Sequence, residues 1–215
     1  MAVLERIAFF QNRRDEIPNR ELARDLAARK DRAGIREIAE HLWDKNANVA
    51  TDCVKVLYEV GYIDPSLIAD HVDDFARLLK SRNNRLMWGG MIALAESART
   101  DPDAIYKHLA EIRKAMDAGS VITVDGAIKA LGITAAANAD YNAVIFPILL
   151  KHLQTCRPKD VAQHSEKSLP AVTSTNKTKF IAALEKRLED LSGSASLRVK
   201  KVIKQADECK PITNR

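Results

Sequence analysis

Histidine and cysteine are the residue types in this 215-residue chain best suited to metal or nucleophilic chemistry, and their spacing argues against both. Cys53, Cys156 and Cys209 are an odd number with no Cys-x-x-Cys pair, so neither a disulfide framework nor a zinc site is suggested. A reducing, cytoplasmic setting suits free thiols best. The five histidines are dispersed; His71 and His108 stand 37 residues apart. That interval recurs along the chain as a structural repeat, which puts the two rings roughly 10 Å apart by helix-packing distance, too far to share one metal. No Gly-rich phosphate loop, Gly-x-Ser-x-Gly, His-Glu-x-x-His or acidic calcium loop is present. The residues therefore predict no catalytic centre, no metal site and no cofactor.

The elements that position the remaining side chains follow from that interval. Asp64, Asp101, Asn138 and Asn176 are separated by 37, 37 and 38 residues, all are good N-cap residues, and Pro65 and Pro102 follow the first two. After each cap, apolar residues recur at helical spacing: Ile68, Val72, Phe75, Leu79, then Ile105, Leu109, Ile112, Met116. The third unit gives Asn142, Phe146, Leu149 and Leu153, and the fourth, after a one-residue adjustment, Ile181, Leu184, Leu188 and Leu191. Before each cap lies a partner helix whose inward residue is Leu57, Leu94, Leu131 or Leu169. Each unit is thus predicted to be two antiparallel helices, A then B. Few aromatics and glycines with abundant Ala, Leu, Ile and charged residues agree with an all-α chain.

The ends of the array are predicted to be atypical, as stacked repeats require. A helix over 2–13 and a shorter pair over 19–44 cap the N-terminus, with Ile35, Ile38 and Leu42 in register; a further A helix over 195–206 closes the other end. Residues 165–178 read as a short, irregular A helix and turn. The expected organisation is one solenoid domain over 1–215: capping helices in 1–44, four repeats in 45–193, and a helix and tail in 194–215. The N-terminal stretch has an acidic residue and no apolar run of signal length, and no segment approaches the ~18 apolar residues that span a bilayer, so no membrane role is expected.

Two helices per unit, aspartate before the second, and basic or polar turns between units (residues 80–84, and Arg157-Pro158-Lys159) resemble a HEAT-like, armadillo-type repeat. The resemblance covers roughly residues 19–206. It implies a right-handed α-α superhelix (solenoid) and says little of function, because such folds serve as scaffolds and as enzymes alike. The alkylpurine DNA glycosylases built from HEAT-like repeats place an Asp four residues after a Trp. Here Ile92 stands four residues after Trp88, and Asp125 has no neighbouring Trp in its own unit, so the carboxylate such chemistry needs is not in place.

Register also assigns faces. With 68, 72, 75 and 79 buried, positions 70, 73, 74 and 77 face away, and in such stacks B helices line the concave surface. On it Arg77, Lys114 and Lys151 form a basic ladder, opposed by Asp70, Asp73, Asp74 and Glu111, while the third unit shows Val144, Pro147 and Ile148 where its neighbours are charged. Either curvature closes over that apolar strip or it is the floor of a groove for a partner. Pro147 is expected to bend its helix. On the outer A-helix face Lys55, Lys129 and Lys167 share one position; the second unit places Ile92 there, one turn after Trp88. That pair is either covered by the N-terminal helix or a longer loop, or is an interface anchor. Gly89 and Gly90 beside them predict close approach of another backbone.

The chain carries 34 basic against 29 acidic residues, and the excess falls in 157–215, with 13 against 7. The expectation is a non-enzymatic protein-protein interaction module whose concave face receives a protein or peptide segment. The alternative, from the same ladder and the basic C-terminal stretch, is a nucleic-acid-binding protein related to the HEAT-like DNA repair proteins.

Overall fold

The computed structural model describes residues 2–209, and among these there is no strand. Twelve α-helices joined by short 3-10 turns are present: α1 (Ile17–Arg29), α2 (Arg32–Glu40), α3 (Ala47–Ile63), α4 (Val72–Leu78), α5 (Asn84–Ser97), α6 (Pro102–Lys107), α7 (Leu109–Ala118), α8 (Val121–Ala137), α9 (Ala139–Thr155), α10 (Pro158–Ser168), α11 (Lys177–Arg187) and α12 (Gly193–Asp207). The chain divides into two compact units at Ala127 and Ile128, within α8. Each is described by itself.

In the first unit α3 packs on α1 and α5, and α4 lies against α5. The B stretches keep the predicted inward residues, with Ile68, Val72, Phe75 and Leu79 all buried. Their backbone is not one continuous helix. It tightens through 3-10 turns at Pro65–Leu67 and Ala69–His71 before α4, and it breaks at His108 between α6 and α7. His71 and His108, one repeat apart, mark the same break in successive units. Asp64 and Asp101 act as caps, accepting from the Ser66 and Ala104 backbone N–H groups. Gly89 and Gly90 are where neighbours come closest: a Cβ at Gly90 would lie 2.8 Å from the Phe75 carbonyl oxygen of α4, and one at Gly89 2.8 Å from Val54 of α3.

Residues 2–13 do not form the expected helix. Only Val3–Arg6 makes a 3-10 turn, and Asn12 adopts a left-handed conformation, φ 52°. The physical reason lies in side chains far along the sequence that take the backbone donors a helix would use internally. The Leu4 N–H donates to Glu37, that of Ala8 to Asn19 and that of Phe9 to Asp52, at 2.9, 2.9 and 2.8 Å. Ile7 and Ala8 are buried in exchange. Local helix propensity here is weaker than these tertiary contacts.

In the second unit α11 and α10 pack on α9, and α12 closes the end against α10 and α11, burying Val199, Val202 and Ala206. The A helix of this unit lies mostly before the stretch 165–178, which holds only the end of α10, a 3-10 turn at Leu169–Ala171, a loop and the first residues of α11. Leu131 is buried like Leu57 and Leu94, whereas Leu169 lies half-buried on that turn. Gly132 sets the approach of α8 to α10, since a Cβ there would meet the Lys167 carbonyl oxygen at 2.1 Å.

The fourth B helix departs from its predicted register. Phe180, Ala183, Leu184 and Arg187 are buried, while Ile181, Leu188 and Leu191 are only half-buried. A uniform shift of 38 from Asn142, Phe146 and Leu149 gives Phe180, Leu184 and Arg187, so the true inward set contains an arginine. Arg187 is accommodated because its guanidinium donates to the Leu153 and Cys156 carbonyls, both at 2.7 Å, and pairs with Asp190 at 2.8 Å. It thereby caps the C-terminal end of α9.

Candidate functional site

Each residue of the predicted basic ladder is exposed, Arg77 on α4, Lys114 on α7 and Lys151 on α9. Arg77 is engaged locally: its guanidinium lies 4.2 Å over the Trp43 ring and 3.4 Å from Asp74. Arg77 and Lys114 belong to the first unit and Lys151 to the second. The expected outward acidic residues are also in place, with Asp70 and Asp73 exposed and Asp74 and Glu111 half-buried.

On the outer face the sequence reading needs correction at Lys55. It is buried rather than outward, with its ammonium 2.9 Å from Glu16 and 2.7 Å from Glu59 and 4.8 Å over the Tyr58 ring. Burial alone pushes the ammonium pKa down. The hydrogen bonds to Glu59, Tyr58 and Glu16 outweigh that and hold it above its ordinary value. The cause is the segment before α1, whose Arg13, Arg14, Asp15 and Glu16 wall a cavity of about 270 Å³ together with Lys55, Arg85 and Trp88. Trp88 and Ile92 are half-buried on α5. Lys129 and Lys167, at the position equivalent to Lys55, are half-buried too.

In the second unit the apolar strip of α9 is open: Val144 is 46% exposed, Pro147 is exposed and Ile148 half-buried. Pro147 opens onto a groove of about 300 Å³ lined by Ala139, Asn142, Ala143, Phe146, Thr173, Thr175 and Asn176. α9 continues through Pro147. Proline has no N–H, so the helical hydrogen bond that the Ala143 carbonyl would accept from position 147 is not made.

Two asparagines hold the opposite side, and their roles differ from the sequence expectation. Asn138 caps α9 by accepting from the Tyr141 N–H, as predicted. Asn176 makes no such cap; it turns its amide inward instead. Its Nδ2 donates to Asn142 Oδ1 at 3.0 Å and to the Ala171 carbonyl at 3.1 Å, and its Oδ1 accepts the Thr173 N–H at 2.8 Å. Asn142 donates to the carbonyls of Ala135 and Ala171 at 3.1 and 2.8 Å. Both amide groups thus spend their donors within the fold, fixing the loop 171–176 against α9. What the groove offers a ligand is apolar surface together with the hydroxyls of Thr173 and Thr175, which are bonded to each other at 2.8 Å. The sequence signal was faint: Asn142 stands where the first two units have Ile68 and Ile105.

The histidines are not all dispersed. His152 Nε2 and His164 Nδ1 stand 2.9 Å apart, and Cys156 joins them. Burial, and then the neighbouring His164, push the His152 pKa down to about 4. Burial raises that of the Cys156 thiol against the opposing pull of Arg187. Sequence spacing missed this cluster because the residues come from two helices and the turn between them.

Among the described residues no helix is long and apolar enough to cross a membrane. No protein-family model matches the chain, and no curated protein matches it in sequence. Solved structures do match in fold. An engineered protein from a structural-genomics programme aligns at TM-score 0.68 and 19% identity over 96% of this chain and 95% of its own. A designed armadillo repeat protein in complex with the peptide (KR)4 aligns at TM-score 0.66 and 16% identity, covering 96% and 97% of the two chains. A computationally designed armadillo repeat protein for modular peptide recognition aligns at 0.63 and 14%, over 89% and 94%. With the all-helical architecture, these likenesses show an armadillo/HEAT-like helical repeat, an all-α solenoid in fold class.

Proposed function

We propose that this protein is a non-enzymatic interaction module that captures an extended, acidic protein segment on the exposed face of α9. The observation that carries the reading is the open apolar strip and groove on α9, where Val144, Pro147 and Ile148 stand beside a cleft lined by Ala139, Ala143 and Phe146. An extended segment presents side chains that suit the apolar floor. Lys151, on the same helix, supplies steering charge. The second unit carries 15 basic against 8 acidic residues, which favours an acidic partner. Trp88 and Ile92 are left out of this surface, because the segment 13–16 stands over the Trp88 cavity.

The test is selection of binders from a random peptide library displayed on phage, followed by fluorescence anisotropy on the enriched peptides. Enrichment of peptides combining Asp or Glu with apolar residues is expected. The double variant Pro147→Arg, Lys151→Glu should weaken their binding at least tenfold while the melting temperature stays within a few degrees. No enrichment, or unchanged binding by the variant, overturns the proposal. Duplex DNA is the control: binding through several phosphate contacts loses about a thousandfold or more between ~50 and ~200 mM salt. A tight, steeply salt-dependent DNA complex would replace the peptide reading with the nucleic-acid one.

A further inference from the structure

The turn between α9 and α10 brings three metal-ligating side chains together. His152 sits in the last turn of α9, Cys156 caps that helix, and His164 lies on α10. One nitrogen of each ring and the Cys156 sulfur all lie within 4.8 Å of one another. His164 is buried, 2% exposed, whereas His152 and Cys156 are half-buried and reachable from solvent.

We propose that His152, Cys156 and His164 form a binding site for Zn²⁺. Two imidazole nitrogens and a thiolate are the donor set that a borderline-soft d¹⁰ cation prefers. With Zn–N near 2.05 Å and Zn–S near 2.3 Å, tetrahedral coordination needs the nitrogens about 3.3 Å apart and each about 3.6 Å from sulfur. The nitrogens at 2.9 Å must part by roughly 0.4 Å, and the sulfur must close by about 1.2 Å at most. Side-chain torsions supply both movements without displacing backbone. In the metal-free protein the close pair requires one ring to donate a proton to the other. On binding Zn²⁺ the donating ring moves its proton to its other nitrogen, so both imidazoles stay neutral, and the thiol proton alone is released to solvent.

The surroundings hold the ligands for this purpose. Arg187 fixes the carbonyls of Leu153 and Cys156, which pins the turn carrying the cysteine. Asp160, itself paired with Arg157 at 2.7 Å, acts electrostatically on both His152 and Cys156, and the Arg187 guanidinium beside Cys156 favours its thiolate. Three protein ligands leave a fourth position for water or an incoming group, the pattern of an open rather than a closed site. The site is independent of the peptide groove: none of its three ligands lines that groove.

The test uses the full chain, freed of metal by a chelator. Titration with Co²⁺ should give one equivalent of a tetrahedral visible spectrum together with a thiolate-to-cobalt charge-transfer band, and Zn²⁺ should displace it. Competition with a chelating dye should give a Zn²⁺ dissociation constant of micromolar or tighter. Cys156→Ser should remove the charge-transfer band, and His152→Asn should weaken Zn²⁺ binding at least tenfold, each with an unchanged far-ultraviolet circular dichroism spectrum. Cys209→Ser and His108→Asn should change nothing. Absence of the band in the wild-type protein, or its persistence in Cys156→Ser, overturns the assignment. Because His164 is buried and its replacement risks the fold, the decision rests on the half-buried ligands.

Discussion

Replacing Arg187 by methionine should expose how much of the second unit depends on a charge in its interior. Arg187 makes two hydrogen bonds of 2.7 Å to the carbonyls of Leu153 and Cys156 and one of 2.8 Å to Asp190. Hydrogen bonds involving a charged group contribute about 1.5–3 kcal/mol each. The Asp190 side chain is half exposed, so that pair adds only about 0.5 kcal/mol. Against the sum stands the desolvation of the guanidinium, which a methionine of similar length avoids while filling the same space. The net loss is therefore about 2–4 kcal/mol, most of it the cost of leaving two carbonyls at the end of α9 without donors. With a urea slope of about 2 kcal/mol per M, the unfolding midpoint followed by circular dichroism should fall by about 1–2 M. Arg187→Lys keeps the charge but not the two-pronged reach, and should lose roughly half as much. A methionine variant within about 0.5 kcal/mol of the wild type would refute the claim that this arginine is a structural cap.

Two further predictions concern backbone and charge. Gly132→Ala places a Cβ where the Lys167 carbonyl oxygen stands 2.1 Å away, so α8 and α10 must separate and thermal denaturation should show a loss of about 3 kcal/mol or more; Gly193→Ala, at φ +54° with open space around it, should lose only about 1 kcal/mol. Glu16 is held below its ordinary carboxyl pKa of 4.5, first by its hydrogen bond from Lys55, so its contribution is present above that value and disappears as pH falls through the depressed one. Glu16→Gln should therefore flatten the acid limb of the stability profile below pH 4.5 and lower stability at neutral pH; an acid limb as steep as the wild type's would show that the pair with Lys55 contributes nothing.

Much of this molecule was legible in one dimension. Period-37 spacing of caps and apolar residues determines the helix pairs, because an amphipathic helix has only one way to hide a stripe recurring at 3.6 residues, and a repeated stripe demands a repeated neighbour. It also placed an apolar strip of Val144, Pro147 and Ile148 on the outward side of its helix, leaving open whether neighbours cover it, and the tight packing at Gly89 and Gly90. Tertiary structure decided what periodicity cannot encode. Residues 2–13 give up helix for side-chain acceptors contributed by Asn19, Glu37 and Asp52, partners that no local window contains. Lys55 goes inside because Glu16, thirty-nine positions earlier, comes to meet it. Leu188 looks like the core residue and Arg187 is one, since two unpaired carbonyls and a carboxylate compensate a buried cation better than the apolar pattern alone suggests. His152, Cys156 and His164 reveal their chemistry only when the turn after α9 folds two helices together, for a ligand set is a matter of distances in space and sequence spacing constrains those only within a single helix.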